Sequence, residues 1–430
     1  MRPGRASLPG HDACSGRGGD PRASGGVGTL PAVGLTRRRT RSRACPVRLP
    51  RRRHVAGPLA LLALGATLTL AGGTSAAAAL RAPAAAKKRA PAAAKKVAKT
   101  ALRVVAVSPR QGVTNVAGKA PISITFSAAI SARSPMPSIN PQLPGSWHTG
   151  GDRLTFVPAE PFVPLSQVTV SVPGGSKGVV AKNGERLVRR VVDNFTIQNG
   201  SIFRLQQLLS LLQYSPLAWA PAGPVLAPTN TAAQLAALYA APKGAFHWRT
   251  AGWPSQLVAL WRPGVYNVFT RGLVMSFQAD HGLNVTGAPS GGLWNDLVQS
   301  LAAGVVNTGG YNYAIANKTQ PQSLTIWHNG SVVLRAPANT GIPQSPTPSG
   351  NFPVYARYRN EIMHGTNPNG SHYADPVQYV AYFYDGDAVH YFPRADYGVP
   401  QSLGCVELAL PNAAAAWPYL AYGTLVTVLN

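Results

Sequence analysis

Acidic residues are scarce in this chain: 14 Asp and Glu in 430 residues, against 40 Lys and Arg. Cysteine is scarcer still. Three cysteines exclude a disulfide-stapled scaffold and any four-cysteine metal site. Only 13% of residues are charged, yet the net charge is +26. Hydrophobic residues at 45% exclude wholesale disorder. The length suits two to four domains with real cores. Gly (44) and Pro (39) together make about a fifth of the chain, a composition of turns, β-structure and linkers.

The excess of cations suggests nucleic acid until its location is considered. Residues 1–100 hold 20 Lys and Arg against two acids, a net +18, and residues 101–430 carry only +8. From His54 to Leu80 no Lys, Arg, Asp or Glu occurs, and Val55 to Leu70 is an apolar run behind Arg51-Arg52-Arg53. Ser75-Ala76-Ala77 or Ala76-Ala77-Ala78 fits a cleavage site. A basic flank, an apolar core and a small-residue exit describe a secretory signal within residues 1–80. Cleavage there, or retention of residues 55–73 as a membrane anchor, are both open. The segment before the apolar run is long for a signal, so a later start at Val27, Val33 or Val47 is an option. The arginines do not match the twin-arginine consensus.

Residues 81–101 contain RAPAAAKK twice, at Arg81–Lys88 and Arg89–Lys96. Ala, Pro and Lys without an apolar face make a solvated linker. It reads either as a plain tether or as an electrostatic contact to acidic wall polymers or a membrane surface. Nucleic acid is not expected as a partner, because the linker follows an export signal.

Three folded regions follow, and the expected class is multidomain. Residues 102–198 read as a β-sandwich, with LRVVAV, PISITF, RLTFVP and QVTVSV as strands between turn residues. Ser108-Pro109 and Pro121–Ser127 resemble bacterial immunoglobulin-like domains of surface proteins, which implies a spacer or contact module. In residues 199–305 the period changes. Ile202, Leu205, Leu208, Leu209 and Leu212 recur at helical spacing after Asn199 or Ser201 as cap. Leu205-Gln206 with Leu208-Leu209, then Phe277-Gln278 with His281-Gly282-Leu283, resemble the two halves of a peptidoglycan-binding domain. That resemblance implies a small helical domain. Between the halves lie Trp219, Trp248, Trp253 and Trp261, for which core packing is favoured over a carbohydrate-stacking surface. His281 is expected to cap or pack.

Residues 306–430 return to β-signals. Thr325–Leu334 contains Asn329-Gly330, a hairpin turn. Val377–Phe383, Ala388–Tyr391 and Thr424–Leu429 are further strands, and Asn412–Leu420 is a short helix.

If the signal is removed, Cys14 and Cys45 go with it and Cys405 is the lone thiol. A lone cysteine is ordinarily a packed core residue. Here it stands in Ser402-Leu403-Gly404-Cys405, where Gly404 permits a tight turn whose N–H groups converge on an anion. A thiol nucleophile needs a base. All nine histidines precede Cys405, which excludes a papain-like order of Cys before His. His390 ends a strand 15 residues upstream. A sortase has the same order but uses an Arg after the Cys, and no Lys or Arg follows Arg394.

Residues 311–430 thereby resemble an L,D-transpeptidase catalytic domain, with a strand ending in His390, a loop, and Ser402-Leu403-Gly404-Cys405. Thr347–Val354 resembles the family's T-P-x-G-x-F/Y strand, preceded by Asn339-Thr340-Gly341. The resemblance implies a mostly-β domain, a cysteine acyltransferase working on peptidoglycan stem peptides and glycan, and no cofactor or metal. It implies that His390 takes the proton from Cys405, and that the thioester formed with loss of D-Ala is resolved by an amine into a 3→3 cross-link. Gly404 and Cys405 N–H groups would hold the oxyanion, Tyr391 would orient His390 through its carbonyl, and Ser402 would brace the loop or touch substrate. The same chemistry with water makes an L,D-carboxypeptidase, and a non-catalytic wall-binding scaffold is the alternative of a different class.

Two departures stand out. Many members carry His at Leu403, and Arg or Asn at Glu407. An acid at 407 is expected to disfavour thiolate and repel a substrate carboxylate. His364 and His372 are candidate substrate contacts. Their spacings of eight and eighteen with His390 match no common zinc signature.

Overall fold

The computed structural model describes residues 101–430. The signal segment, the Ala/Pro/Lys linker, Cys14 and Cys45 lie outside the described residues. Among the described residues no helix is long and apolar enough to cross a membrane.

The first region has seven strands: β1 (Val104–Ser108), β2 (Ile122–Phe126), β3 (Ser138–Asn140), β4 (Gly145–Gly150), β5 (Arg153–Pro158), β6 (Gln167–Val172) and β7 (Val191–Thr196). They form two sheets, ordered β1-β2-β5-β4 and β3-β6-β7. The alternation read in the sequence is the physical cause. In β2, Ile122, Ile124 and Phe126 are buried, and in β6 so are Val168, Val170 and Val172. These faces enclose one apolar core with Leu154, Phe156 and Phe195.

The second region is helical, as its period predicts, with a small sheet that the period did not reveal. It runs α1 (Ile202–Leu211), β8 (Leu217–Pro221), α2 (Thr231–Ala237), β9 (Gly244–Trp248), α3 (Ser255–Val258), α4 (Val268–Asp280) and α5 (Gly291–Ala303). Ser201 caps α1 by accepting from the Arg204 N–H. The glutamines of the two half-motifs are buried staples. Gln206 Nε2 donates to the Arg262 and Val265 carbonyls and to Thr270 Oγ1, and its Oε1 accepts from the Gly264 N–H. Gln278 Oε1 accepts from the Gly287 N–H, and its Nε2 donates to the Ala288 carbonyl. Trp248, Trp253 and Trp261 pack against the core, and Trp219 meets Phe246 edge-on to tilted at 4.9 Å. His281 caps α4 and stacks on Phe277 at 3.9 Å.

The third region carries β10 (Asn312–Asn317), β11 (Ser323–His328), β12 (Ser331–Pro337), β13 (Gly350–Pro353), β14 (Ala356–Thr366), β15 (His372–Tyr384), β16 (Asp387–Tyr391), β17 (Val406–Leu408), α6 (Leu410–Ala416) and β18 (Leu425–Leu429). One sheet is ordered β12-β11-β10-β18-β13 and the other β14-β15-β16-β17. Asn329 (φ 49°) and Gly330 (φ 87°) make the turn between β11 and β12.

The helical region and the five-stranded sheet share one core. Leu205, Phe269, Phe277 and Trp294 from the helices cluster with Tyr313 and Ile315 of β10 and Leu425 of β18. The approach is closest where Gly272 of α4 meets Gly423, with φ of 81°, before β18. A Cβ on either residue would strike the other's carbonyl oxygen. Ser276 Oγ donates to the Tyr422 carbonyl at 2.8 Å in the same seam.

Gly272→Leu is therefore expected to destabilise helices and sheet together, by about 1–3 kcal/mol as overpacking costs. Scanning calorimetry of the wild type is expected to show no separate transition for the helical region. Independent melting of the two would contradict the shared core.

Candidate active site

The strand pairing brings the two sequence-selected residues together. β16 and β17 run parallel, with Val389 opposite Val406 and His390 opposite Glu407. Side chains alternate along each strand. Val389, Val406 and Leu408 therefore face the apolar core between the two sheets of this region, with Ala314, Leu324 and Val426. Ala388 and His390 share the other face with Cys405 and Glu407. Cys405, His390 and Glu407 line a cleft of about 830 Å³ roofed by the long hairpin β14–β15.

His390 is 3% exposed and its Nδ1 lies 2.9 Å from the Tyr391 carbonyl oxygen. A carbonyl only accepts, so Nδ1 carries the proton and Nε2 is left as the basic nitrogen. Burial lowers the His390 pKa, opposed in part by the Tyr391 carbonyl and by Glu407. The imidazole is neutral at neutral pH. Burial pushes the Cys405 thiol up to about 12, against the Ala388 N–H, which donates to Sγ at 3.5 Å; Asp387 and Glu407 raise it further. The thiol and the imidazole that line the cleft both rest neutral.

The nucleophile turn is over-determined. Ser402 is 1% exposed. Its Oγ donates to the Cys405 carbonyl at 2.6 Å and accepts from the Gly404 N–H at 3.2 Å. Thr347 Oγ1 donates to the Gly404 carbonyl at 2.7 Å and accepts from the Gly341 N–H at 2.8 Å. Asn339 bridges β17 through Glu407 in both backbone directions, at 3.0 and 2.9 Å. Its Oδ1 accepts from the Gly398 N–H at 2.9 Å. The two family-like segments thus act as braces behind the thiol. Gly404 has φ of 120°, and a Cβ there would collide with the Asp387 carboxylate.

This geometry corrects two expectations and adds to a third. The Gly404 N–H is turned inward to Ser402 Oγ, so Gly404 and Cys405 do not form a pair of free amides for an oxyanion. His372 is exposed and hydrogen-bonds Thr366 Oγ1 at 3.0 Å, outside the cleft, whereas His364 lines it. Glu407 raises the thiol pKa, as expected of an acid there, but it is also paired. Arg394 grips it with Nε and Nη2, each at 2.8 Å, while Nη2 also donates to the Gln401 carbonyl at 3.0 Å. Arg394 stacks over Phe392 at 4.6 Å.

Two charged residues of the cleft escaped the sequence reading. Arg394 was noted only as the last cation, and nothing in one sequence pairs it with position 407. Asp387 begins β16 and gives no signal at all. Burial and the nearby Asp385 raise its carboxyl to about 6.

Residues 311–428 match the model of the YkuD family, the L,D-transpeptidase catalytic domain. Residues 98–197 match that of the bacterial Ig-like domain. The C-terminal region is an L,D-transpeptidase catalytic domain. No curated protein matches the chain. Among solved structures, an L,D-transpeptidase from Mycobacterium smegmatis is 15% identical, covering 77% of this chain and 100% of that one, with a TM-score of 0.26. L,D-transpeptidase 3 from Mycobacterium tuberculosis is 15% identical over 76% of this chain and 98% of that one, with a TM-score of 0.26. The catalytic domain of an E. faecium L,D-transpeptidase is 25% identical over 27% of this chain and 96% of that one, also at 0.26. The transpeptidase domain identifies the chain as carrying a cysteine-dependent acyltransferase, with peptidoglycan as the implied substrate.

The Asp387 charge acts on both stability and reactivity. Its folded pKa lies above the unfolded 3.8, so its contribution to stability is fully present below about 3.8 and lost as pH rises through about 6. Asp387→Asn is expected to raise stability at pH 8 but not at pH 4, on the order of 1 kcal/mol after solvent screening. The same variant lowers the thiol pKa, and alkylation of Cys405 by iodoacetamide, followed by intact mass, should quicken. Unchanged alkylation would place Asp387 outside the thiol's field.

Proposed function

We propose that the chain is an exported peptidoglycan L,D-transpeptidase that makes 3→3 cross-links through a thioester on Cys405. The observation that carries this reading is the placement of His390 and Cys405 in one cleft of about 830 Å³, with the thiol against Ala388 on the strand that ends at His390. Nε2 of His390 accepts the thiol proton as Sγ attacks the carbonyl of the third stem residue. The tetrahedral intermediate collapses to a thioester, and the departing D-Ala amine takes the proton from His390. The side-chain amine of a second stem then attacks the thioester, loses a proton to His390 and restores the thiol. Because both partners rest neutral, proton transfer accompanies attack and does not precede it.

With the Gly404 N–H bound to Ser402, the Cys405 N–H is the backbone donor left for the oxyanion. Ser402 is a positioning residue, as are Gly404 and Tyr391, through which His390 keeps its tautomer. His364 touches substrate at the rim. Energy comes from the spent D-Ala bond, so no cofactor enters. The helical residues 199–305 are proposed to hold peptidoglycan, residues 102–198 to act as spacer, and residues 81–101 to contact acidic wall polymers or the membrane surface.

Incubation with tetrapeptide stems and intact mass spectrometry tests the reading. A D-Ala-loss adduct on the wild type, absent in Cys405→Ala, and a cross-linked dimer are expected. Well-folded protein yielding neither would overturn it, and a hydrolysed tripeptide as sole product would mark a carboxypeptidase. The rate should fall as pH drops below the ordinary imidazole range, where His390 takes a proton.

A further inference from the structure

The cleft is acidic in a chain that is otherwise strongly basic. Residues 311–430 contain six acids, all between Glu361 and Glu407, and four of them (Glu361, Asp375, Asp387 and Glu407) line the cleft. Arg394 is the only Lys or Arg among the lining residues. It is already committed, through Nε and Nη2, to the two oxygens of Glu407. Glu407 is 4% exposed, so drawing Arg394 away to a ligand would leave a buried carboxylate unpaired. One oxygen of Glu361, Oε2, is buried without a partner and adds to the field. The formal charge of the lining is −3, with no cation to spare.

A diamino acid at the third stem position can carry a second carboxyl at the end that also bears the amine. We infer that this cleft selects stems whose third residue presents an amine but no free side-chain carboxylate: a lysine- or ornithine-type residue, or a diamino diacid with its distal carboxyl amidated. The inference rests on the transpeptidase reading of the site. The same field that repels a carboxylate draws in the ammonium of such a residue, so acids from β14 (Glu361), β15 (Asp375) and β16 (Asp387) act as specificity determinants.

The test compares three donors on the purified chain: tetrapeptides with lysine, with amidated diaminopimelate and with unmodified diaminopimelate at position three. Cys405 acylation is followed by intact mass. The first two should acylate roughly tenfold or more faster than the third, the scale of one like-charge contact in a partly screened cleft. The gap should narrow in Asp375→Asn and with rising salt. Because the readout is a ratio on one protein sample, partial misfolding of the variant cancels. Equal rates, or a preference for the free carboxylate, overturn the inference while leaving the transpeptidase reading standing. No acylation by any donor overturns that reading, and the inference with it.

Discussion

The parallel pairing of β16 with β17 is the constraint on which the site depends. Three residues of β17 are held on one edge by β16 and on the other by Asn339, which exchanges both backbone hydrogen bonds with Glu407. A strand so short cannot hold its own register. The register matters because a shift of one residue would turn Cys405 into the core and bring Val406 to the cleft. Asn339, Thr347 and Ser402 are all buried and all bond to the nucleophile segment, so their polar groups are satisfied by the backbone they hold in place.

That bracing explains how the site tolerates its own electrostatics. A thiol raised to about 12 and a histidine lowered by burial would be inert apart. In one cleft a neutral thiol and a neutral imidazole offer a donor and an acceptor that need no prior ionisation. Arg394 neutralises Glu407 and ties it to the Gln401 carbonyl, so one guanidinium joins the end of the His-to-Cys loop to β17. The acid at 407 is therefore structural before it is electrostatic. Asp387 is one of the charges left uncompensated, and its place against Gly404 is possible only because position 404 has no side chain.

Much of this was legible in the sequence, for identifiable reasons. Strand alternation in PISITF and QVTVSV, helical spacing in Leu205–Leu212 and the Asn329-Gly330 turn are local signals, and each produced the expected element. Cys405 and His390 were selected by elimination and by the frame around the thiol, and both line one cleft. What stayed hidden is what depends on distant contacts. Residues 364 and 372 looked equivalent until the β14–β15 hairpin placed His364 on the cleft and His372 beyond it. The Arg394–Glu407 pair spans 13 residues and a turn, and the inward tilt of the Gly404 amide depends on Ser402 Oγ, so neither leaves a periodic trace. The β8–β9 sheet went unseen because Pro- and Trp-rich sequence has no clean period.

The shared core gives the helical region a role even apart from any ligand. Tyr313, Ile315 and Leu425 lie on the two strands at the centre of the five-stranded sheet, and their apolar faces are covered by α1, α4 and α5. A five-stranded sheet with one face on the second sheet's side would otherwise expose its other face to water. β13, which follows the Thr347 brace, pairs directly with β18, and Gly423 anchors β18 to α4. The helices, β18, β13 and the residue that holds the Gly404 carbonyl are thus joined by consecutive contacts. The helices and the turn that carries Cys405 are therefore built onto the two opposite ends of one chain of packed elements, α4 to β18 to β13.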